Sequence, residues 1–347
     1  MILWILFLPL LVIATPVLGP KRRTSLPLPD RLVHQFPNGT WLENVLVRSN
    51  GDLLVTALIP TAALYRVSGP SNYSPSVTLV HNFTSVQGLL GISETKPDVF
   101  VVLGGNFTSP GAQVNGTFSA WEVDMSHGSH KHSSKSPAIV KLITAIPPAA
   151  FLNGLETLPK NPTIVLISDS ALGVVWRLDT LTGHFNKALN FPEMKVAWNH
   201  NATLAIGING IRILNDILYW TNSFQQTIYR VKIDKNGSVA PDAGLEKVVN
   251  IKEAHFLDDF AVGTDGTIWA CENVGNRLFA VRPDGSYETV AGGVNQTTIA
   301  GDTAAAIGAG NYDQSTLYIV TSGALALPVN GTYTEGGKVV AIDISSY

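Results

Sequence analysis

Residues 209–223 read NGIRILNDILYWTNS: a polar residue, a short apolar strand, a tight turn at Asn215-Asp216 and a second, more hydrophobic strand. Apolar residues in alternation on both sides of a short polar turn predict an antiparallel β-hairpin. This stretch decides the fold because five other segments of the chain repeat its pattern. The other segments start at Glu43, Gln87, Asn153, Asp258 and Thr303.

The repeats recur at a regular interval. Their starts run from position 43 to position 303 in five steps, a mean spacing of about 52 residues. Most repeats continue into a third apolar strand, and units of about four strands at such a period are typical of a β-propeller. We therefore predict an all-β, six-bladed β-propeller of four-stranded antiparallel blades around a central channel. The apolar segment 31–37 is expected to complete the last blade beside residues 338–343.

The amino-terminal part of the sequence differs from the repeats. Residues 2–19 form the longest apolar run, interrupted by Pro9, and Lys21-Arg22-Arg23 follow it. We interpret residues 1–19 as a cleaved signal peptide, residues 20–30 as a linker with a dibasic cluster, and residues 31–347 as the propeller domain. A membrane anchor is the alternative interpretation of the apolar run. With the signal removed, no stable membrane span is expected.

Nine N-x-[ST] acceptor motifs favour passage through a glycosylating compartment. A charged fraction of only 14% fits this interpretation, because glycans can supply solubility that charged side chains otherwise provide. We expect a secreted or lumenal glycoprotein. The acceptor residues are Asn38, Asn72, Asn82, Asn106, Asn115, Asn201, Asn236, Asn295 and Asn330.

Composition excludes several classes of protein. The net charge of −3 gives no basic surface for nucleic acid, so no nucleic-acid partner is expected. A single cysteine, Cys271, excludes an internal disulfide, and its apolar strand predicts a buried, inert thiol. No phosphate-binding loop or dinucleotide motif is present, which argues against a nucleotide cofactor. A small-molecule substrate is expected, and the oligomeric state stays open.

In a propeller the first strand of each blade lines the axial channel, so the six repeat starts are expected to converge there. All six side chains carry oxygen, and none is cationic. Ca²⁺ and Mg²⁺ prefer oxygen ligands, so the pattern predicts a site for one divalent cation. The alternative is that these polar groups hydrogen-bond water in a wet channel.

Four of these positions carry a family resemblance. Glu43, Asn153-Gly154-Leu155, Asn209-Gly210-Ile211 and the acid before Phe260-Ala261-Val262 resemble the senescence-marker/gluconolactonase (regucalcin-like) propellers. The resemblance implies that Glu43, Asn153, Asn209 and Asp258 hold one divalent ion, with Asp258 a candidate base in lactone hydrolysis. Gly154 departs from the Asp that often follows the first Asn in that family. This departure weakens the assignment of a sugar lactone as substrate.

A narrower resemblance points to a different reaction. Residues 34–56, HQFPNGTWLENVLVRSNGDLLVT, look like secreted fungal propellers of this group, some of which are hetero-Diels–Alderases. Those enzymes join a tropolone-derived quinone methide to a humulene-type terpene, which is the first function that we expect. A metal-dependent lactonase is the second and a non-catalytic binding propeller the third. The expected catalytic residues are Asp258 and Glu43, and the expected substrate-binding residues are Phe151, Gln87, His255, Phe256, Asp259 and Thr303.

Overall fold

Short apolar strands joined by Gly- and Asn-rich turns form six separate four-stranded antiparallel sheets. The structure, a computed structural model, describes residues 25–109, 111–128, 138–198, 204–310 and 313–347. No helix among these residues is both long and apolar enough to cross a bilayer. The signal-peptide prediction for residues 1–19 and the acceptor Asn201 lie outside the described residues.

The strands of the first three blades follow one another along the chain. The first blade contains β2 (Trp41–Val47), β3 (Leu53–Ile59), β4 (Ala63–Ser68) and β5 (Ser76–Asn82). The second contains β6 (Gly88–Lys96), β7 (Val99–Gly105), β10 (Ser119–Asp124) and β11 (Ile139–Ala145), with a small hairpin, β8 (Phe107–Ser109) and β9 (Ala112–Gln113), between β7 and β10. The third contains β12 (Leu152–Thr157), β13 (Ile164–Asp169), β14 (Val174–Asp179) and β15 (Phe185–Leu189).

The remaining blades repeat the arrangement. The fourth contains β16 (Ile208–Leu214), β17 (Ile217–Asn222), β18 (Thr227–Lys232) and β19 (Glu246–Asn250). The fifth contains β20 (Leu257–Val262), β21 (Ile268–Glu272), β22 (Arg277–Val281) and β23 (Tyr287–Gly292). The sixth contains β24 (Asp302–Ile307), β25 (Thr316–Thr321), β26 (Lys338–Asp343) and β1 (Asp30–Gln35). One-turn 3₁₀ helices lie at Ser126–Gly128 and Pro192–Met194.

The first strands of the blades form a closed ring. In chain order β2, β6, β12, β16, β20 and β24 each contact the next, and β24 contacts β2. The ring is tied by β1, which pairs antiparallel with β26 from Asp30 opposite Ile342 to Gln35 opposite Lys338. The predicted six-bladed propeller and its closure by an amino-terminal strand are confirmed.

Apolar side chains are buried between blades rather than in one central core. Phe118 of the second blade, for example, packs with Phe151 and Trp176 of the third, and the Cys271 thiol is fully buried in a cluster shared by the fifth and sixth blades. A single blade cannot cover both of its faces, so each depends on its neighbours. The channel is left for polar side chains.

The closing strand gives a direct test of this architecture. Val33 is 6% exposed and packs into the cluster between the first and sixth blades, whereas its neighbour Leu32 is 51% exposed. Val33→Asp places an unpaired charge in that cluster and should lower the free energy of unfolding by about 3 kcal/mol. Leu32→Asp is the matched control and should change it by less than about 0.5 kcal/mol. Thermal unfolding followed by circular dichroism measures both, and equal shifts would contradict the closure.

Candidate active site

Each inner strand has a break in its pairing register at the level of the channel. The adjacent antiparallel pairs shift register at this point in all six blades. Such bulges turn side chains away from the regular alternation of a strand. The residues at the breaks are Glu43, Leu90-Gly91, Asn153-Gly154, Asn209-Gly210, Asp258-Asp259 and Thr303.

Side-chain hydroxyls stabilise three of these breaks. The Ser168 hydroxyl accepts a hydrogen bond from the Gly154 N–H (2.7 Å) and donates one to the Asn209 carbonyl of the next blade (2.5 Å). A Cβ on Gly154 would lie 2.7 Å from that carbonyl, so the approach of the two inner strands requires glycine. The same arrangement recurs at Thr56, between Asn44 and Leu90, and at Thr221, between Gly210 and Asp258.

The breaks place the four predicted oxygen ligands together. Glu43, Asn153, Asn209 and Asp258 all line one cavity of about 600 Å³ at the mouth of the channel, and each is at least nine-tenths buried. These residues lie up to 215 positions apart in the sequence (Glu43 to Asp258). The predicted convergence of blade-equivalent side chains is therefore observed for these four residues, which are called the quartet below.

The walls of this cavity are largely apolar. Phe224 and Phe256 contact each other edge to face with ring centroids 5.2 Å apart. Phe151 packs against Phe107 and Phe118 at centroid distances of 5.7 and 6.1 Å. The walls and rim also include Leu204, Ile206 and Leu327. An organic molecule can therefore be surrounded by aromatic and aliphatic carbon above a polar floor.

Three of the predicted substrate-binding residues line the cavity: Phe151, His255 and Phe256. Gln87 does not lie there. It precedes β6 and is exposed, and its side-chain oxygen accepts a hydrogen bond from the Phe107 N–H at the base of the β8–β9 hairpin. The expectation of convergence was wrong for Gln87 because the register break of the second blade falls at Leu90, three residues later.

Two further predicted residues lie outside the cavity lining. Thr303 is fully buried, and its single hydroxyl hydrogen is shared between the carbonyls of Leu42 (2.9 Å) and Val320 (3.1 Å). Asp259 accepts hydrogen bonds from the Asn44 amide and the Arg212 guanidinium, both at 2.8 Å. Their polar atoms are used to hold blades together, so the structure does not bring them to a ligand in this cavity.

Arg212, whose guanidinium pairs with Asp259 at 2.8 Å, lines a different cavity from the four oxygen ligands. This second, more open cavity of about 520 Å³ is lined by Arg212 and Glu156, with the Arg212 Nε 4.0 Å from a Glu156 oxygen. Burial raises the pKa of Glu156 to about 7, although Arg212 opposes the shift.

The two carboxyl groups of the quartet are electrostatically strained. Burial, reinforced by the charge of Asp258, raises the pKa of Glu43 well above its usual value, against a 2.5 Å hydrogen bond from the Trp41 indole N–H. Burial likewise raises the pKa of Asp258 to about 7, although Asn273 donates to it at 2.9 Å. Two such acids near one axis favour a bound positive charge or a shared proton.

The amides complete a donor set that fits a hard cation. The Asn209 Nδ2 donates to Ser223 (3.0 Å), whereas its buried Oδ1 has no hydrogen-bond partner. The Asn153 side chain has no hydrogen-bond partner among the described residues. Within those residues no three His, Cys, Asp or Glu side chains cluster as a metal site, but the quartet contains only two such side chains, and its other oxygens are amides. An orphaned buried oxygen beside two carboxyl groups fits Ca²⁺ or Mg²⁺.

Sequence reasoning missed residues that line the cavity from the second strands. Phe224 follows β17, Val274 follows β21, and Leu58 lies near the end of β3. Their shared signal was present in the repeats, since each comes at or just after the second strand of its unit. The starts of the first strands alone therefore do not reveal these wall residues.

Sequence comparison finds two fungal relatives. The chain is 36% identical over 323 residues to a candidate hetero-Diels-Alderase, asR5, of Sarocladium schorii. The alignment covers 84% of this chain and 78% of that protein. It is also 36% identical over 327 residues to a candidate hetero-Diels-Alderase of a Phoma species, and this alignment covers 88% of this chain and 89% of that protein. No protein-family model matches the chain.

Solved structures similar to this one share its fold at low sequence identity. A luciferin-regenerating enzyme has a TM-score of 0.62 at 12% identity, covering 91% of this chain and 95% of that one. Regucalcin of Agrobacterium tumefaciens has a TM-score of 0.59 at 14% identity, covering 91% and 94%. A gluconolactonase of Xanthomonas campestris has a TM-score of 0.55 at 11% identity, covering 94% and 98%. These similarities establish the propeller architecture alone.

Proposed function

We propose that this chain, which belongs to the fungal hetero-Diels-Alderase family, is a cyclase that joins an oxygen-bearing heterodiene to an apolar alkene. One observation carries the proposal: a single cavity of about 600 Å³ combines aromatic walls with a floor of amide and carboxyl groups. Sites for small molecules have volumes of this order. The cavity suits two small reactants, one with a polar end and one without.

The proposed reactants are a quinone methide and a humulene-type terpene, the pair that the sequence resemblance implies. The quinone methide oxygen and its exocyclic carbon each form a bond to one alkene carbon. Three π bonds are replaced by two new σ bonds, one C–O and one C–C, and one new π bond within the former heterodiene, and every atom of both reactants stays in the product. The protein therefore supplies no nucleophile and needs no co-reactant; it accelerates the reaction by orientation and electrostatics.

The apolar walls supply the orientation. The Phe224–Phe256 pair lies on one part of the wall, and Phe151, packed against Phe107 and Phe118, on another. Aromatic rings held by other rings have little freedom to move, so an alkene bound among them is confined to few poses. Holding both reactants in contact removes most of the entropy cost of their encounter.

The floor supplies the electrostatics. As the alkene donates electron density, negative charge develops on the heterodiene oxygen, and a fixed hydrogen-bond donor lowers the barrier. The Asn153 carboxamide lines the cavity and has no partner among the described residues, so its N–H groups are available for this oxygen. Glu43 and Asp258 are the two carboxyl groups of the floor and remain its proposed catalytic residues.

A divalent cation is part of the proposal. Glu43, Asn153, Asn209 and Asp258 would hold Ca²⁺ or Mg²⁺, and the orphaned Asn209 Oδ1 supports this assignment. When bound, the ion supplies a Lewis acid for a substrate oxygen. The same quartet favours a second candidate function, a metal-dependent lactonase, because a lactone carbonyl would gain from the same polarisation.

Adding the protein to a preformed quinone methide and a terpene should increase the yield of adduct and enrich one stereoisomer. Phe256→Ala should lower kcat/KM about tenfold and reduce the enrichment, because it removes one wall of the cavity. Phe185→Ala, in the outermost strand of the third blade, is the matched control and should leave both unchanged. Chiral chromatography of the products measures the yield of adduct over time and the enrichment of one stereoisomer. Identical mixtures with and without protein would contradict the cyclase and favour a non-catalytic binding role.

A lactone panel separates the two candidate functions. The cyclase proposal expects no lactone turnover, and it expects Asn153→Leu to slow cycloaddition about 100-fold by removing one donor. The lactonase proposal expects lactone turnover, and it expects this turnover to be lost when the cation is removed by a chelator and in the Asp258→Asn variant. Hydrolysis, measured as acid release with and without EDTA, decides between them.

Calorimetric titration of the chelator-treated protein with Ca²⁺ and Mg²⁺ tests the cation separately, and absence of binding would remove the cation from the proposal.

We also propose a secretory route for the chain. Of the nine acceptor asparagines, eight are described; seven of these are exposed, and Asn106 is half-buried. Expression in a fungal host should therefore give protein whose mass falls after treatment with an N-glycosidase. Asn236→Gln, at an exposed turn between β18 and β19, should remove about one glycan, whereas Asn186→Gln, which lies outside any acceptor motif, should not. A mass unchanged by the glycosidase would overturn the secretory route.

A further inference from the structure

We propose that His255, held by Glu272, binds a hydroxyl group of the oxygen-bearing reactant and so selects reactants that carry one. The proposal deepens the proposed function and rests on it. His255 lies just before β20 and lines the main cavity, while Glu272 is the last residue of β21. Neighbouring strands of the fifth blade bring them together, because Leu257 pairs with Glu272 and Glu272 pairs with Arg277.

Both oxygens of the Glu272 carboxylate are used. Oε1 accepts the His255 backbone N–H at 2.5 Å and lies 3.1 Å from the His255 Nδ1. Oε2 accepts the Arg277 Nε–H at 2.6 Å. A Cβ on Gly275 would lie 2.0 Å from Oε2, so a larger residue at this position would displace the carboxylate from its present contacts. The Glu272 side chain is fully buried, whereas that of His255 is 63% exposed.

The contacts of Glu272 determine which nitrogen His255 offers to a ligand. A buried carboxylate needs a partner, and the Arg277 guanidinium, itself 14% exposed, supplies one. A carboxylate oxygen can only accept, so the hydrogen of this contact lies on Nδ1, and in the Nδ1–H tautomer the Nε2 carries a lone pair. Nε2 is on the side of the ring away from Glu272 and is left for a ligand in the cavity.

A lone pair on Nε2 accepts a hydrogen bond, so its complement is a donor. Among organic reactants that fit apolar walls, a phenolic or enolic hydroxyl is that donor. His255 is separated by only two residues from Asp258 on the floor, so a reactant could place its hydroxyl on His255 and its carbonyl oxygen at the floor. Glu272 and Arg277 act through His255 and are positioning residues.

Two measurements test the pair of His255 and Glu272, called the dyad below, and neither requires any cycloaddition. In the first, the affinities of 3-hydroxyacetophenone and 3-methoxyacetophenone are compared by NMR titration. Wild type should prefer the hydroxyl compound about tenfold, because the ether cannot donate. His255→Leu should abolish the preference and Glu272→Gln should reduce it. His184→Leu, before β15 and away from the cavity, is the control and should retain it.

The second measurement is a long-range ¹H–¹⁵N spectrum of the labelled protein, in which His255 is assigned by the loss of its signals in His255→Leu. We expect the Nδ1–H tautomer in wild type and its loss in Glu272→Gln. Equal affinities for the two probes in wild type, or an Nε2–H tautomer there, would overturn the dyad even if Glu272→Gln does not fold. A preserved preference and tautomer in a protein without cycloaddition activity would overturn the proposed function and leave the dyad standing.

Discussion

Three side-chain hydroxyls hold the centre of this propeller together. Thr56, Ser168 and Thr221 each accept a hydrogen bond from the backbone at the register break of their own blade and donate one to a carbonyl of the next. A register break leaves backbone groups without their strand partners, and in a buried position such groups must be satisfied another way. Because one hydroxyl serves two blades, the bulges and the close approach of the inner strands depend on each other.

The breaks allow polar side chains to be buried at the axis. Residues that would otherwise alternate in and out of a sheet are turned toward the channel, where Glu43, Asn153, Asn209 and Asp258 surround one end of it. Near them the buried Arg212–Asp259 ion pair links the fourth and fifth blades. The cost of burying two carboxyl groups near one another is visible in their raised pKa values. A site that bears this cost is prepared for a ligand that relieves it.

The repeats predicted the architecture well and the site in part. The number of repeats, six, predicted the number of blades, since a unit of about 52 residues can bury its faces only against neighbouring blades. The quartet was found because each member stands at the start of an apolar strand. Gln87 was misplaced because the second blade has Leu90 at the equivalent position, and polarity alone cannot locate an apolar member of the ring. Thr303 occupies the expected position, yet its hydroxyl is consumed by the backbone.

The amino-acid sequence by itself determined the all-β class, the six units, the strand that closes the ring and the oxygen-rich character of the axis. These depend on local alternation and on spacing, which a linear chain displays. Only the tertiary structure decided which polar groups face a ligand and which are satisfied within the fold. It also brought His255 to the buried Glu272–Arg277 pair and assembled the aromatic walls. Those outcomes depend on the register of neighbouring strands, where a shift of one residue reverses the direction of a side chain.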